Sequence, residues 1–153
     1  MNVRSYLCES ALHFAESDIA PIHLADLNER RYYAFAHGVT PPAGGKAVSE
    51  DELAGVLEHS QLIRQVKQEA ERRILTFAPL WKQQNALADL YSLRALSNLD
   101  EAEQTKLTEA QALLAEIARL RARSNEIEAS FLNGIAIDYA TNRAWEKEEK
   151  NNA

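Results

Sequence analysis

The chain has 153 residues, of which 46% are hydrophobic, and its formal net charge is −6 at pH 7. This length supports one modest hydrophobic core. The negative charge argues against a general nucleic-acid binder, because such domains usually carry a basic face. Nucleic acid is therefore not an expected partner. Cys8 is the only cysteine, which excludes an internal disulfide and a multi-cysteine metal site.

The first residues do not have the pattern of a signal peptide. Glu9, Ser10, His13 and Glu16 interrupt the apolar residues there, whereas a signal peptide contains a continuous apolar stretch. No segment approaches the roughly 18 consecutive apolar residues of a membrane span. We therefore expect a protein that is soluble where it is made and has no membrane partner.

Apolar residues near the N-terminus recur mostly at intervals of three and four, which predicts a short amphipathic helix over residues 3–15. They are Val3, Tyr6, Leu7, Ala11, Phe14 and Ala15. Residues 19–39 follow no single period, because Pro21 interrupts them and their aromatic residues suit either a strand or a packed turn. We interpret this second stretch as irregular or partly helical.

Sequence signals also place the ends of helices in the remainder of the chain. Ser49 and Glu52 have the spacing of a capping box, so a helix is predicted to begin there. Pro79 lacks a backbone donor and would clash with the preceding turn, so it is predicted to kink the next helix or divide it in two. Asp100 is predicted to cap the helix that returns along the first.

Two apolar stripes of helical period follow these signals. The first contains Ile63, Val66, Ala70, Ile74, Phe77, Leu80 or Trp81, Leu87 or Ala88, and Tyr91. The second, with near-heptad spacing, contains Leu107, Ala110, Leu114, Ile117, Leu120, Ser124, Ile127 and Phe131. Each stripe is broad enough to pack on a partner helix, so an antiparallel hairpin with coiled-coil-like packing is predicted.

These elements predict a mainly α protein made of four segments. Residues 1–39 form an N-terminal helical or irregular docking segment, and the proline- and glycine-rich residues 40–48 form a linker. Residues 49–132 form the helical hairpin. Residues 133–153 form a short helix followed by a polar tail.

The residues that could carry catalysis do not form a recognisable motif. The histidines lack the spacing of paired helical metal ligands. Glu9, His13 and Glu16 would share a helix face, but a solvated polar face explains them better than a metal site. Gly45 and Lys46 lack the other residues of a phosphate-binding loop. The sequence therefore predicts no catalytic residue, no metal and no cofactor.

A local basic cluster on the return arm could contact RNA or DNA. It consists of Arg119, Arg121 and Arg123, with Glu116 and Glu126 interleaved. Acidic residues three or four positions away form ion pairs on a helix surface. A solvated face with salt bridges is therefore the favoured interpretation.

Five polar residues at helical spacing are candidates for fixing the register of the hairpin. Gln83, Gln84 and Asn85 follow the proline, and Ser124 and Asn125 lie on the return arm. The amides could satisfy a backbone carbonyl freed by the proline, or bond across the hairpin. Exposed surface amides remain the alternative.

Aromatic residues are the second group of interaction candidates. Trp81 could be a core residue at the kink or an anchor in an interface. Tyr32, Tyr33, Phe35 and Trp145 add aromatic area near the two chain ends. Because a two-armed hairpin covers only part of its apolar surface, we expect homo-oligomerisation or docking onto another protein.

Two pairs of segments in the helical region carry a family resemblance. Glu69–Ile74 is followed by Pro79–Asn85, and Ile117–Arg121 is followed by Ser124–Glu128. This order resembles a helical module of small tailed-bacteriophage proteins encoded among tail genes, with the pattern EAxRRI, PxWKQxN, IRxxSNxIE. The matching residues are Arg72, Arg73, Trp81, Lys82, Gln83, Asn85, Arg121, Ser124, Asn125 and Glu128.

The resemblance covers residues 63–129 and implies a non-enzymatic role in a phage tail. The protein would be a structural, adaptor or fibre-associated part of the virion, or a tail-assembly factor, and its partners would be other phage tail proteins. Its expected location is the virion tail, or the host cytoplasm during assembly. Residues 1–60 match nothing in this family. The alternative is a regulatory protein that binds and inhibits a host protein.

Overall fold

The computed structural model describes residues 1–14 and 19–146. The chain divides into two compact units. Unit 1 consists of residues 1–68 and 125–153, and unit 2 of residues 69–124. Unit 1 contains a β-sheet and helix α1, and unit 2 is helical in its regular elements. Two long helices, α2 and α4, contribute residues to both units.

The sheet of unit 1 has four antiparallel strands in the order β2-β3-β1-β4. They are β1 (Val3–Leu7), β2 (Ile22–Leu27), β3 (Arg30–Ala34) and β4 (Lys46–Ala47). The central pair aligns Val3 with Ala34 and Leu7 with Arg30. A β-bulge interrupts the pairing of β2 with β3 between His23 and Ala25. Asn28 and Glu29 form the intervening turn with positive φ angles of 52° and 61°.

One side of this sheet forms the core of unit 1. Its buried members are Val3, Leu24, Ala25, Tyr32, Ala34, Leu53 and Val56. The last two belong to α1 (Glu50–His59), which packs along β2. Burial of this apolar set supplies the main favourable free energy of such a fold. On the other side, Tyr6 is also buried, and its hydroxyl donates a hydrogen bond to the carbonyl of Pro42.

The prediction of a mainly α protein, built of an antiparallel helical hairpin and an N-terminal helical or irregular docking segment, is wrong. Helices account for 55% and strands for 13% of the structure, which makes the fold mixed α and β. Residues 3–7 form β1 where a helix was predicted. Because Val3, Ser5 and Tyr6 are all buried, both sheet faces are covered and the alternation typical of a strand is absent from the sequence. Residues 40–48, the predicted linker, contain β4.

The helices begin and end at residues with recognisable signals. Ser49 caps α1, where its hydroxyl accepts a hydrogen bond from the Glu52 backbone, as predicted. Asp100 and Glu103 form a reciprocal capping box at the start of α4 (Glu101–Leu132). Pro79 separates α2 (Gln61–Phe77) from α3 (Leu80–Arg94), as predicted. Among the described residues, no helix combines the length and hydropathy of a membrane span.

Unit 2 consists of the last turns of α2, all of α3 and most of α4. Its buried apolar residues are Ala70, Ile74, Ala78, Ala86, Leu93, Ala110, Ile117 and Leu120. Lys106 of α4 forms an ion pair with Asp89 of α3 at 3.2 Å. Within single helices, Glu69 pairs with Arg72 and Arg73. These contacts leave one side of α3 open to solvent.

Candidate protein-interaction surface

Large exposed apolar side chains are concentrated in one part of unit 2. They are Leu75, Phe77, Leu80, Trp81, Leu87, Tyr91 and Leu96. The two most exposed belong to α3: Tyr91 has 87% and Leu80 has 64% of its surface accessible. Contiguous exposed apolar surface on a folded protein is typical of contact sites. This segment is therefore the candidate site.

Helical geometry places four of these positions on one side of α3. Each residue of an α-helix turns by roughly 100°, so Leu80, Gln84, Leu87 and Tyr91 fall within about 60° of one another. Ala86 lies on the far side of the helix and is buried. We call Leu80, Gln84, Leu87 and Tyr91 the α3 face. α3 therefore has a second apolar side in addition to the one that packs within unit 2.

Trp81 lies on the flank of the α3 face and is 59% exposed. The ammonium of Lys82 stands 5.5 Å from the centre of its ring, a distance that permits a cation–π interaction. A large aromatic ring held on a helix at the edge of an apolar patch suits an interface anchor. Of the two roles considered for this residue, the exposed position favours the interface.

A side-chain hydrogen bond stabilises the start of α3. The backbone amides of Lys82 and Gln83 donate to the carbonyl of Pro79. The carbonyl of Ala78 instead receives the side-chain Nε2 of Gln83 at 2.7 Å. Gln83 therefore satisfies a backbone carbonyl at the proline break, which is one of the roles considered from the sequence. Because this bond fixes the first turn, it also fixes the direction of the α3 face.

The other polar candidates differ in exposure. Gln84 lies within the α3 face, Asn85 lies about 100° further around the helix, and both are exposed. Arg121 and Asn125 are also exposed, whereas Ser124 is buried. The α3 face thus includes one of these polar candidates, Gln84, at its centre.

The aromatic candidates of unit 1 contribute to its own interior. Tyr32, Phe35 and Trp145 are all at most 3% exposed. The indole N–H of Trp145 donates to the carbonyl of Tyr139 at 2.7 Å. Tyr33 is half-buried, with the ring of Phe14 at 5.2 Å. Tyr32, Phe35 and Trp145 therefore serve the fold of unit 1, whereas Tyr33 keeps part of its surface accessible.

The shifted pKa values have local structural causes. Hydrogen bonds from Arg72, together with its charge and that of Arg73, lower the pKa of Glu69 against the opposing effect of burial. A hydrogen bond to Glu116 raises the pKa of Arg119. The basic cluster of α4 thus contains at least one ion pair, at 2.7 Å between Arg119 and Glu116. This agrees with the salt-bridge interpretation of that surface.

The described residues offer no alternative site with evident chemistry. Glu9 and His13 lie outside any helix, and Glu16 lies outside the described residues. Within the described ranges, no three His, Cys, Asp or Glu residues form a group that could hold a metal. Two open grooves of about 350 and 260 Å³ occur in unit 1, and Phe35 and Gly38 line both of them.

The chain matches no known family model, curated protein or solved structure in the comparisons made. The resemblance to the phage module therefore depends on the motif residues themselves. The sequence predicts that Leu80 or Trp81, Leu87 or Ala88, and Tyr91 pack on a partner helix, whereas all of these positions are exposed. A competing stripe formed by Ala86, Leu90 and Leu93 was the available signal for the buried side.

Proposed function

We propose that the chain is a non-enzymatic component of a bacteriophage tail, or a factor in tail or fibre assembly, and that it acts through protein contacts. The observation that carries the proposal is the exposed α3 face, which lies within the segment that resembles the phage module. Trp81, Lys82, Gln83 and Asn85 belong both to the motif and to the first turns of this helix. Other phage tail proteins are the proposed partners, and the virion tail or the host cytoplasm during assembly is the proposed location.

The chemistry of the α3 face supports a role in contacts. Its accessible groups are hydrocarbon, a phenol and an amide, with Trp81 on one flank. Apolar side chains with a few polar groups favour burial against another protein, because removal of their surface from water is favourable. Burial and the contact with Glu52 explain the raised pKa of Tyr32, and the contacts with Arg72 and Arg73 explain the lowered pKa of Glu69.

Quantitative mass spectrometry of purified particles tests this proposal. A virion component is expected at a fixed copy number per particle. An assembly factor is expected in infected cells but not in particles, and its loss should leave particles deficient in a tail component. A chain that is dispensable for particle formation and co-purifies with a host enzyme would support the inhibitor alternative instead.

Variants of the α3 face connect this test to the structure. Leu80→Asp with Tyr91→Asp should prevent the chain from restoring tail assembly in a deletion background. Ala112→Asp with Ala118→Asp adds the same charge at exposed positions of α4 and is the matched control. If both pairs restored assembly equally, the α3 face would not be the functional surface.

A further inference from the structure

The spacing of the α3 face is symmetrical. Its members Leu80, Gln84, Leu87 and Tyr91 are separated by four, three and four positions, so the order of intervals is the same in both directions along the helix. Two copies of α3 placed antiparallel would therefore align their faces about a point between Asn85 and Ala86. In that register Leu80 lies opposite Tyr91 of the second copy, and Gln84 lies opposite Leu87.

The flank of the α3 face also fits this antiparallel pairing, because it carries one large and one small side chain. Trp81 and Ala88 lie on the same side of the α3 face, at roughly 100° per residue, and both are exposed. In an antiparallel pair, residues on one flank meet residues of the same flank on the second helix. The ring of Trp81 then lies near the small side chain of Ala88 of the second copy, where a larger residue would keep the helices apart.

The uncharged side chains of the α3 face permit contact with a second copy. The chain carries a net charge of −6, so two copies repel each other, but the four side chains of the α3 face are uncharged. Asp89 is held by Lys106 at 3.2 Å. Contact through these four side chains therefore brings no like charges together. Added salt should strengthen such contact by screening the net repulsion, whereas it would weaken binding to a strongly basic partner.

The available area is consistent with a weak dimer. α3 has 15 residues and is therefore about 22 Å long. An aromatic side chain buries on the order of 150–250 Å², so Trp81, Tyr91 and the two leucines offer several hundred Å² per copy. A specific interface buries at least about 1,200 Å² in total. The face approaches this lower limit, where weak and transient interfaces are found, so we expect association in the micromolar range or weaker.

We propose that the α3 face binds a second copy of this chain in an antiparallel, two-fold arrangement, with Leu80 packed against Tyr91 and Gln84 against Leu87 of the other copy. This inference rests on the proposed function in taking the α3 face as the contact surface, and it names the first partner of that surface. A dimer of this kind is isologous, because each copy contributes the same residues.

Sedimentation equilibrium of the full chain tests the association. The apparent mass should rise from monomer toward dimer across the micromolar range, and more steeply at higher salt. Leu87→Glu and Gln84→Lys should each weaken self-association by roughly tenfold or more, while Ala112→Asp should not. A chain that stays monomeric throughout, or a dimer that both α3 variants leave intact, would overturn the proposal.

A mixing experiment tests the register. In the antiparallel arrangement, Glu at position 87 of one variant faces Lys at position 84 of the other, so an equimolar mixture of Leu87→Glu and Gln84→Lys should form a heterodimer. Each variant alone places like charges near the two-fold axis and should remain monomeric. Circular dichroism of each variant checks that the helices are intact. Failure of the mixture to associate would exclude this register.

The outcomes separate this inference from the proposed function. A chain that dimerises through the α3 face but has no effect on phage particles would refute the tail role and leave the dimer standing. A monomeric chain found at a fixed copy number in particles would refute the dimer and support the tail role.

Discussion

The hydroxyl of Tyr32 donates a hydrogen bond of 2.7 Å to a carboxylate oxygen of Glu52. This bond joins β3 to α1 and explains a difference from the predicted capping box. The backbone amide of Glu52 does donate to Ser49, but its carboxylate accepts from Tyr32. The helix cap and the contact between sheet and helix thus share one residue.

Replacement of Tyr32 should reveal this contact through pH. Burial, followed by the hydrogen bond and the charge of Glu52, raises the pKa of Tyr32 from 10.0 to about 12. A raised pKa gives stability that is complete below pH 10 and is lost as pH rises through about 12. Tyr32→Phe should lower the free energy of unfolding by about 1–2 kcal/mol at pH 7 and reduce its fall above pH 10. Urea unfolding at several pH values measures both effects.

The contacts of Glu69 should give the free energy of unfolding the opposite dependence on pH. Its hydrogen bonds from Arg72, with the charges of Arg72 and Arg73, lower its pKa below 4.5. The stability from these contacts is therefore present above pH 4.5 and is lost as pH falls through the lowered value. Glu69→Gln should cost about 0.5–1 kcal/mol at neutral pH and less in acid. A double-mutant cycle with Arg73→Gln isolates the coupling. A cost that stayed constant down to acid pH would exclude an electrostatic origin.

Gly134 ends α4 and should tolerate no side chain. Its φ is +70°, and a Cβ there would lie 2.2 Å from the backbone nitrogen of Ala36. Gly134→Ala should therefore destabilise the protein by roughly 2–5 kcal/mol, from backbone strain and overlap together. Gly38 has a similar φ of +82° with open space around it, so Gly38→Ala should cost only about 1 kcal/mol. Thermal unfolding of both variants compares them, and equal losses would contradict the assignment of a clash.

The turn between β2 and β3 offers a stabilising change. Glu29 has a φ of 61°, a conformation that costs a residue with a side chain roughly 1–2 kcal/mol. Glu29→Gly should therefore raise the free energy of unfolding by about 0.5–1 kcal/mol. Asn28→Gly should do less, since asparagine tolerates this conformation. A loss of stability in Glu29→Gly would show that its side chain makes a compensating contact.

The turn at Asn28 and Glu29 also explains why the sequence did not predict the hairpin of β2 and β3. Short hairpins are recognised by sequences such as Asn-Gly, but here Glu29 occupies the second position. The β-bulge after His23 shifts the alternation of β2, so the strand period is hidden too. By contrast, the Ser49 cap, the Asp100 cap and the break at Pro79 act within a few residues, and the sequence predicted all three.

The sequence also predicted part of the candidate site. The sequence identified Trp81 and the apolar positions of α3, because their helical spacing is local. It predicted that the side with Tyr91 would pack, whereas Ala86 and Leu93 on the other side are the buried residues. Packing within unit 2 decides between them, and that packing depends on residues distant in the sequence.

Gln83 connects the fold to the candidate site and gives the last prediction. Its side chain holds the carbonyl of Ala78 at 2.7 Å, so Gln83→Ala should cost about 1 kcal/mol and loosen the first turn of α3. Gln84→Ala, at an exposed neighbouring position, should change stability by less than about 0.5 kcal/mol. Hydrogen exchange of the Lys82 and Gln83 amides should accelerate in the first variant and not in the second. Equal exchange in both would show that the proline break, without Gln83, is sufficient to fix the start of α3.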